Sequence, residues 1–173
     1  MQKDKEELRK EKWLRFHDRK TKGIPGMLPL VVDLPIRFTD VPNPSAKALG
    51  VFKNSPGWLR GWSLPEAETE RLSTCTEPEI VLVERPIKLY IEVATASKEL
   101  PLIDGKPIYT LSVQMRMWSL DDSGNVKMLR YGFPIVPDFG GTAHAYCGTT
   151  LNACLGDLLE WHKKPSQDGA LRG

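Results

Sequence analysis

Residues 108–136 read IYTLSVQMRMWSLDDSGNVKMLRYGFPIV, and the pattern in them decides the fold class. Tyr109, Leu111, Val113, Met115 and Met117 alternate with Thr110, Ser112, Gln114 and Arg116, the period-two rhythm of a strand with one buried and one wet face. Asp121-Asp122-Ser123-Gly124-Asn125 are turn formers, so Ile108–Leu120 and Val126–Val136 are expected to pair as one long hairpin.

Upstream of the hairpin, short apolar runs are cut repeatedly by Pro and Gly, the texture of an antiparallel β domain. Strands are expected near Leu28–Val32, Pro35–Thr39, Trp58–Leu64, Ile80–Glu84 and Ile87–Val93, with loops at Asp40–Gly50 and Glu66–Pro78. Residues 2–19 contain no Gly or Pro, and Glu6 with Lys10 and Glu11 with Arg15 stand at the i,i+4 spacing that supports an exposed helix. Downstream, the run FGGTAHAYCGTTLNACLGDLLEW (Phe139–Trp161) combines small and apolar residues, and its periodicity leaves strand and helix both open.

The 173 residues suffice for one ordinary domain or two small modules. Hydrophobic residues at 40% and charged residues at 27% allow a buried core and argue against wholesale disorder. The longest mainly apolar stretch, Ile24–Val32, falls short of the roughly 20 residues of a bilayer span, so no transmembrane helix and no membrane partner are expected. The polar N-terminus has no secretory pattern, which suggests an intracellular, non-secreted protein and leaves nucleus and organelle open. Cys75, Cys147 and Cys154 suit reduced thiols better than a disulfide scaffold. Net charge is +2, but residues 1–22 hold nine Lys/Arg against five Asp/Glu, so the basic excess is local. It reads as a solvated helix face or as a phosphate contact.

The chain contains no phosphate loop of the G-x-x-x-x-G-K-[ST] kind and no G-x-G-x-x-G, G-x-S-x-G, H-E-x-x-H or C-x-x-C motif. His144 three residues before Cys147, with Cys154 beyond, is either a weak nucleophile or metal signal or an inert buried Cys beside a satisfied His. Trp58 and Trp62, four apart, are expected on one face of a strand, where they either pack or stack on bases.

Two blocks carry a resemblance. LPLVVDLPIRFTD (Leu28–Asp40) followed by LGVFKNSPGWLRGW (Leu49–Trp62) resembles the strand pair, then turn and strand, with which RecD/Pif-type superfamily 1 DNA helicases insert a small Src-homology-type β-barrel. FPIVPDFGGTAHAYCGTTL (Phe133–Leu151) resembles the stretch by which those helicases return to the second RecA-like lobe, known as motif V. The likeness spans roughly Gly23 to the end.

The resemblance implies an α+β, predominantly β chain: a charged helix over residues 1–22 ending an upstream motor-lobe segment, a small β-barrel over 23–107, the hairpin over 108–136, and an incomplete RecA-like α/β segment over 137–173. It implies a C-terminal fragment of an ATP-dependent DNA helicase of the 5′-to-3′ type, associated with DNA repair and recombination. Its partners would be single-stranded DNA and the remainder of the motor. Thr142, His144, Gly148 and Thr150 match motif V and would inherit its strand contacts, with Arg37, Lys53 and Arg60 as further cationic contacts. Ala145, Cys147 and Thr149 stand where the family has Lys, Gln and a second polar residue, which removes a cation and an amide from the point of coupling to hydrolysis. Phosphate loop, Mg-binding acidic motif and motif VI arginine are all missing, so ATP and Mg belong to the intact family and no cofactor or catalytic residue is expected of this chain. The alternative is a non-catalytic β-barrel adaptor that binds protein or nucleic acid.

Overall fold

A computed structural model describes residues 12–93, 95, 100–120 and 125–139. The chain divides into two compact units, Met1–Gly140 and Gly141–Gly173, and the second lies outside the described residues. The first unit comprises strands β1 (Leu34–Phe38), β2 (Pro56–Ser63), β3 (Lys88–Val93), β4 (Leu102–Ile103), β5 (Lys106–Ser112), β6 (Gln114–Ser119), β7 (Lys127–Gly132) and β8 (Ile135–Pro137). Two short helices interrupt them, α1 (Pro44–Ala48) and α2 (Glu66–Ser73).

Six strands form one sheet in the order β4-β5-β3-β2-β1-β8, while β6 and β7 form a separate ribbon. Every described strand pair is antiparallel. Both sheets are open, which corrects the expected β-barrel. Closure needs edge strands with enough residues to pair across the gap. Here the outer strands are β4 with two residues and β8 with three, so the architecture is mixed α+β with two open sheets. Residues 137–173, expected as a RecA-like segment, lie almost wholly outside the description.

The expected hairpin divides in two. Gln114–Ser119 pairs with Lys127–Gly132 around the turn, but Ile108–Ser112 belongs to β5 and Ile135–Pro137 to β8, both in the larger sheet. The break falls at Val113, and the buried parity changes across it. Tyr109 and Leu111 are buried on the odd positions, whereas in β6 the buried residue is Trp118 and Met115 and Met117 are exposed. A strand leaving one sheet for another must choose its buried face again, and the indole, with the largest area to hide, wins over two thioethers.

The core lies on one face of the larger sheet. Leu34, Ile36 and Phe38 of β1, Leu59 of β2, Leu89, Ile91 and Val93 of β3, Leu111 of β5 and Ile135 of β8 meet there, closed over by Ala46 and Val51. The cross-strand partner of Ile36 in β2 is Gly57, and an added Cβ there would stand 2.6 Å from the Glu92 carbonyl oxygen and 3.0 Å from Ile91 Cγ2. Side-chain absence at Gly57 therefore lets β1, β2 and β3 draw together over Ile36.

A bulge completes the arrangement. The β2–β3 register runs Leu59↔Ile91 and then Gly61↔Tyr90, leaving Arg60 as an extra residue. One inserted residue reverses the alternation. Trp62 turns in and packs against the core while Trp58 stays on the outer face, so the two indoles do not share a face as their spacing suggests.

Leu28–Val32 and Ile80–Glu84 are extended or turned but unpaired. Leu28 and Leu30 still contribute by packing against the core. The segments read as loops hold the two helices. Asn43 caps α1, its Oδ1 accepting from the Ala46 N–H at 2.8 Å, and Pro44 opens the helix where no N–H is needed. Of the N-terminal helix, the description covers only helical backbone at 12–14, followed by turns.

Emptying or crowding this core has a readable effect. Phe38→Ala should lower the unfolding free energy by about 3–5 kcal/mol. Gly57→Ala should lower it by about 1–3 kcal/mol through the clash with backbone. Urea titration followed by tryptophan fluorescence checks both, and an unchanged midpoint for Phe38→Ala would contradict the core described.

Candidate nucleic-acid interface

Arg37 lies on β1 beside Val136 of β8. Its guanidinium forks onto Asp138, Nε donating to Oδ1 at 3.1 Å and Nη2 to Oδ2 at 3.0 Å. The Asp138 N–H also donates to the Pro35 carbonyl at 2.8 Å. With side chains 18% and 15% exposed, this bidentate pair is largely out of water and holds the end of β8 against β1.

Arg60, the bulge residue, reaches two carboxylates. Its Nε donates to Glu92 Oε2 at 2.6 Å, and Nη1 pairs with Asp33. Lys106 stands 3.5 Å from the same Glu92 oxygen. Partial burial works against the charged guanidinium, but the hydrogen bonds to Glu92 and Asp33 outweigh it and raise the Arg60 pKa above its ordinary value. The group also lies 5.9 Å from the centre of the half-exposed Trp58 ring.

Lys53 differs from both arginines. It is exposed, in a tight turn where Asn54 has φ 68°. The turn is clamped to the end of β1: the Asn54 N–H donates to the Phe38 carbonyl at 2.8 Å, and the Phe38 N–H to the Ser55 carbonyl at 3.1 Å. Ser55 Oγ accepts from the Phe52 N–H at 3.0 Å. Lys53 thus projects from a fixed platform, with no ion pair among the described residues. Thr142, His144, Gly148 and Thr150 lie outside those residues, as do Ala145, Cys147 and Thr149.

Sequence reasoning brought forward Arg37 and Arg60 as cations but missed the carboxylates that hold them. Asp138 lies 101 residues from Arg37, and no local pattern announces that pairing. A nearer signal was legible: Glu68 and Arg71 stand at i,i+3 on α2. Glu68, almost fully buried, accepts from Arg71 and from the Val83 N–H at 3.0 Å, which ties the segment after α2 back to the helix. The Arg71 hydrogen bond, aided by that N–H, holds the Glu68 carboxyl below its ordinary range despite burial. Tyr109 is pushed up by burial, opposed by the Asn43 amide that donates to its hydroxyl at 3.2 Å.

Among the described residues no three His, Cys, Asp or Glu side chains come together as metal ligands. Among the described residues, the cations singled out in the sequence comprise an exposed lysine, Lys53, and two guanidinium groups paired with carboxylates, with the Trp58 indole at the edge of solvent beside Arg60. Comparison with protein-family models, with curated proteins and with solved structures finds no match.

Two outcomes are expected. A double-mutant cycle with Arg37→Ala and Asp138→Ala should give a coupling energy of about 1–3 kcal/mol by denaturant titration; a value near zero would mean the fork does not hold β8. The depressed Glu68 carboxyl stabilises the fold fully above its ordinary pKa of 4.5, and that stability is lost as pH falls through the lower folded value. Glu68→Gln should therefore flatten the loss of stability below pH 4.5 in acid titrations.

Proposed function

We propose that this chain is part of a RecD/Pif-like 5′-to-3′ DNA helicase and supplies contact with single-stranded DNA rather than the ATP phosphate site. One observation carries the reading. The opening residues of the second block, a hundred residues on, pair with a strand of the first: Ile36 with Pro137, Arg37 with Val136 and Phe38 with Ile135. Within the first block β1 and β2 pair with the Lys53 turn fixed between them, while Leu28–Val32 forms no strand and the sheet stays open.

Lys53 and the motif V residues Thr142, His144, Gly148 and Thr150 are the contacts of this proposal. The guanidinium groups of Arg37 and Arg60 already face carboxylates, so their part is to hold β1 and β2, the strands on either side of the Lys53 turn. The residues of this chain do not build a site for ATP and Mg: neither a phosphate loop nor the arginine that completes phosphoryl transfer is in the sequence. The isolated chain is a strand-binding part without a motor.

A fluorescein-labelled oligothymidylate read by anisotropy tests this. Binding should be measurable at low salt and weaken with a slope of about −0.7 per phosphate neutralised in a plot of log affinity against log salt. Lys53→Glu should weaken it several-fold and flatten that slope by about one unit, since charge reversal removes one contact and repels another. Absence of binding at low salt, or binding indifferent to both salt and Lys53, would sink the proposal.

A further inference from the structure

The sequence asks for a strand at Ile80–Glu84, and the fold gives that segment no strand to pair with. Residues 80–82 run without turn or bend, and the chain bends at Val83 and Glu84. One edge of the segment is held. Arg71 Nη2 donates to the Val81 carbonyl at 3.1 Å, and the Val83 N–H donates to Glu68 Oε1 at 3.0 Å. In extended backbone the C=O of one residue and the N–H of the residue two further on point to the same side. The Glu68–Arg71 pair therefore takes the place of a neighbouring strand along that edge.

The opposite edge is open. Ile80 and Leu82, whose backbone groups alternate with those of Val81 and Val83, make no backbone hydrogen bond among the described residues. Val81 and Val83 are 85 and 78% exposed, while Ile80 and Leu82 are half-buried. Side chains of this kind favour a strand, and unpaired N–H and C=O groups beside them are a template for one more. Charge around the segment is one-sided. Residues 66–84 hold six glutamates against a single cation, Arg71, a net −5. Arg71 is engaged by Glu68. Glu66, Glu70, Glu77, Glu79 and Glu84 are exposed and form no ion pair among the described residues. The next cations along the chain stand at one end only, Arg85 5.0 Å from the centre of the Tyr131 ring and Lys88 at the head of β3. Five acids outnumber them.

We propose that the open edge of Ile80–Val83 takes up an extended, lysine- or arginine-flanked segment of another protein as an added β-strand. Main-chain bonds to Ile80 and Leu82 hold it, Val81 and Val83 meet its side chains, and the glutamates select its basic flanks. A second copy is the wrong occupant, because edge-to-edge pairing sets the net −5 of one stretch against the same charge on the other. The same charge repels a phosphate backbone, so this edge is separate from the DNA contact read at Lys53.

The test uses the 15N-labelled 173-residue chain and a synthetic peptide of alternating valine and threonine flanked by lysines. A matched peptide carries glutamates at the flanks, and two further versions are N-methylated on alternate residues, one along each edge. Expected are anisotropy-detected binding of the lysine peptide, at least about tenfold weaker binding of the glutamate peptide, and loss of binding on methylation of one edge but not the other. Amide exchange at Ile80 and Leu82 should slow by about tenfold or more on binding, with the Asn54 amide unchanged. Leu82→Pro removes an open N–H and should weaken binding about tenfold with the near-ultraviolet dichroism unchanged. Glu79→Lys with Glu84→Lys leaves the edge in place and should reverse the preference between the charged peptides. No binding, equal affinity for the two charged peptides, equal binding of the two methylated ones, or binding that leaves the Ile80 and Leu82 amides exchanging as before would overturn the proposal. So would slowing of those amides by self-association without peptide, or by an oligothymidylate.

Discussion

Strand β1 has no free edge, and the rest of the unit depends on that. On one side it takes β2, which follows it by way of the α1 loop. On the other it takes β8, which arrives only after a hundred residues. Its inward side chains, Leu34, Ile36 and Phe38, are the middle of the core, so any displacement of β1 breaks two ladders and opens the core together. Gly57 permits the close approach on one side and the Arg37–Asp138 fork fixes it on the other. The second is the more telling, because β8 contributes only three residues. So short a strand makes few ladder bonds and relies on the buried Ile135 and the bidentate pair to stay in place.

Charge on the outer face follows from the same economy. A cation can grip phosphate or a neighbouring strand, and its partners decide which. Arg37 and Arg60 face carboxylates at hydrogen-bonding distance, and the Arg60 pKa is raised by the two it meets. Exchanging those partners for phosphates would return the carboxylates to water and loosen the edge of β1 or the bulge of β2. Lys53 carries no such debt. Its backbone is held by the Phe38 and Ser55 bonds while its side chain is exposed, so an anion can be bound there without dismantling anything.

The antiparallel character and strands β1, β2 and β3 were legible in the sequence, because each rests on local alternation between turn formers. That the sheets stay open was not, since closure is a property of edges that no residue announces. Nor was the division of the hairpin at Val113. The alternation from Tyr109 through Met117 is unbroken, and only the choice of Trp118 as the buried side chain reveals that two sheets share it. Trp58 and Trp62 failed for a related reason: one inserted residue, Arg60, defeats a spacing argument completely. The site residues divide in the same way. The Glu68–Arg71 pair has a local i,i+3 signal that the loop reading of Glu66–Pro78 passed over, whereas Asp138 as the partner of Arg37 is set by a contact 101 residues long.

The change of parity at Val113 also separates what holds the ribbon from what the ribbon displays. Trp118, Arg130 and the carbonyls of Trp13 and Ile24 form one set of contacts, and none involves Met115, Met117, Leu129 or Tyr131 in the same role. Polar replacements at those four positions would keep the ladder bonds but give up the cross-strand packing of half-buried side chains that steadies a two-stranded ribbon.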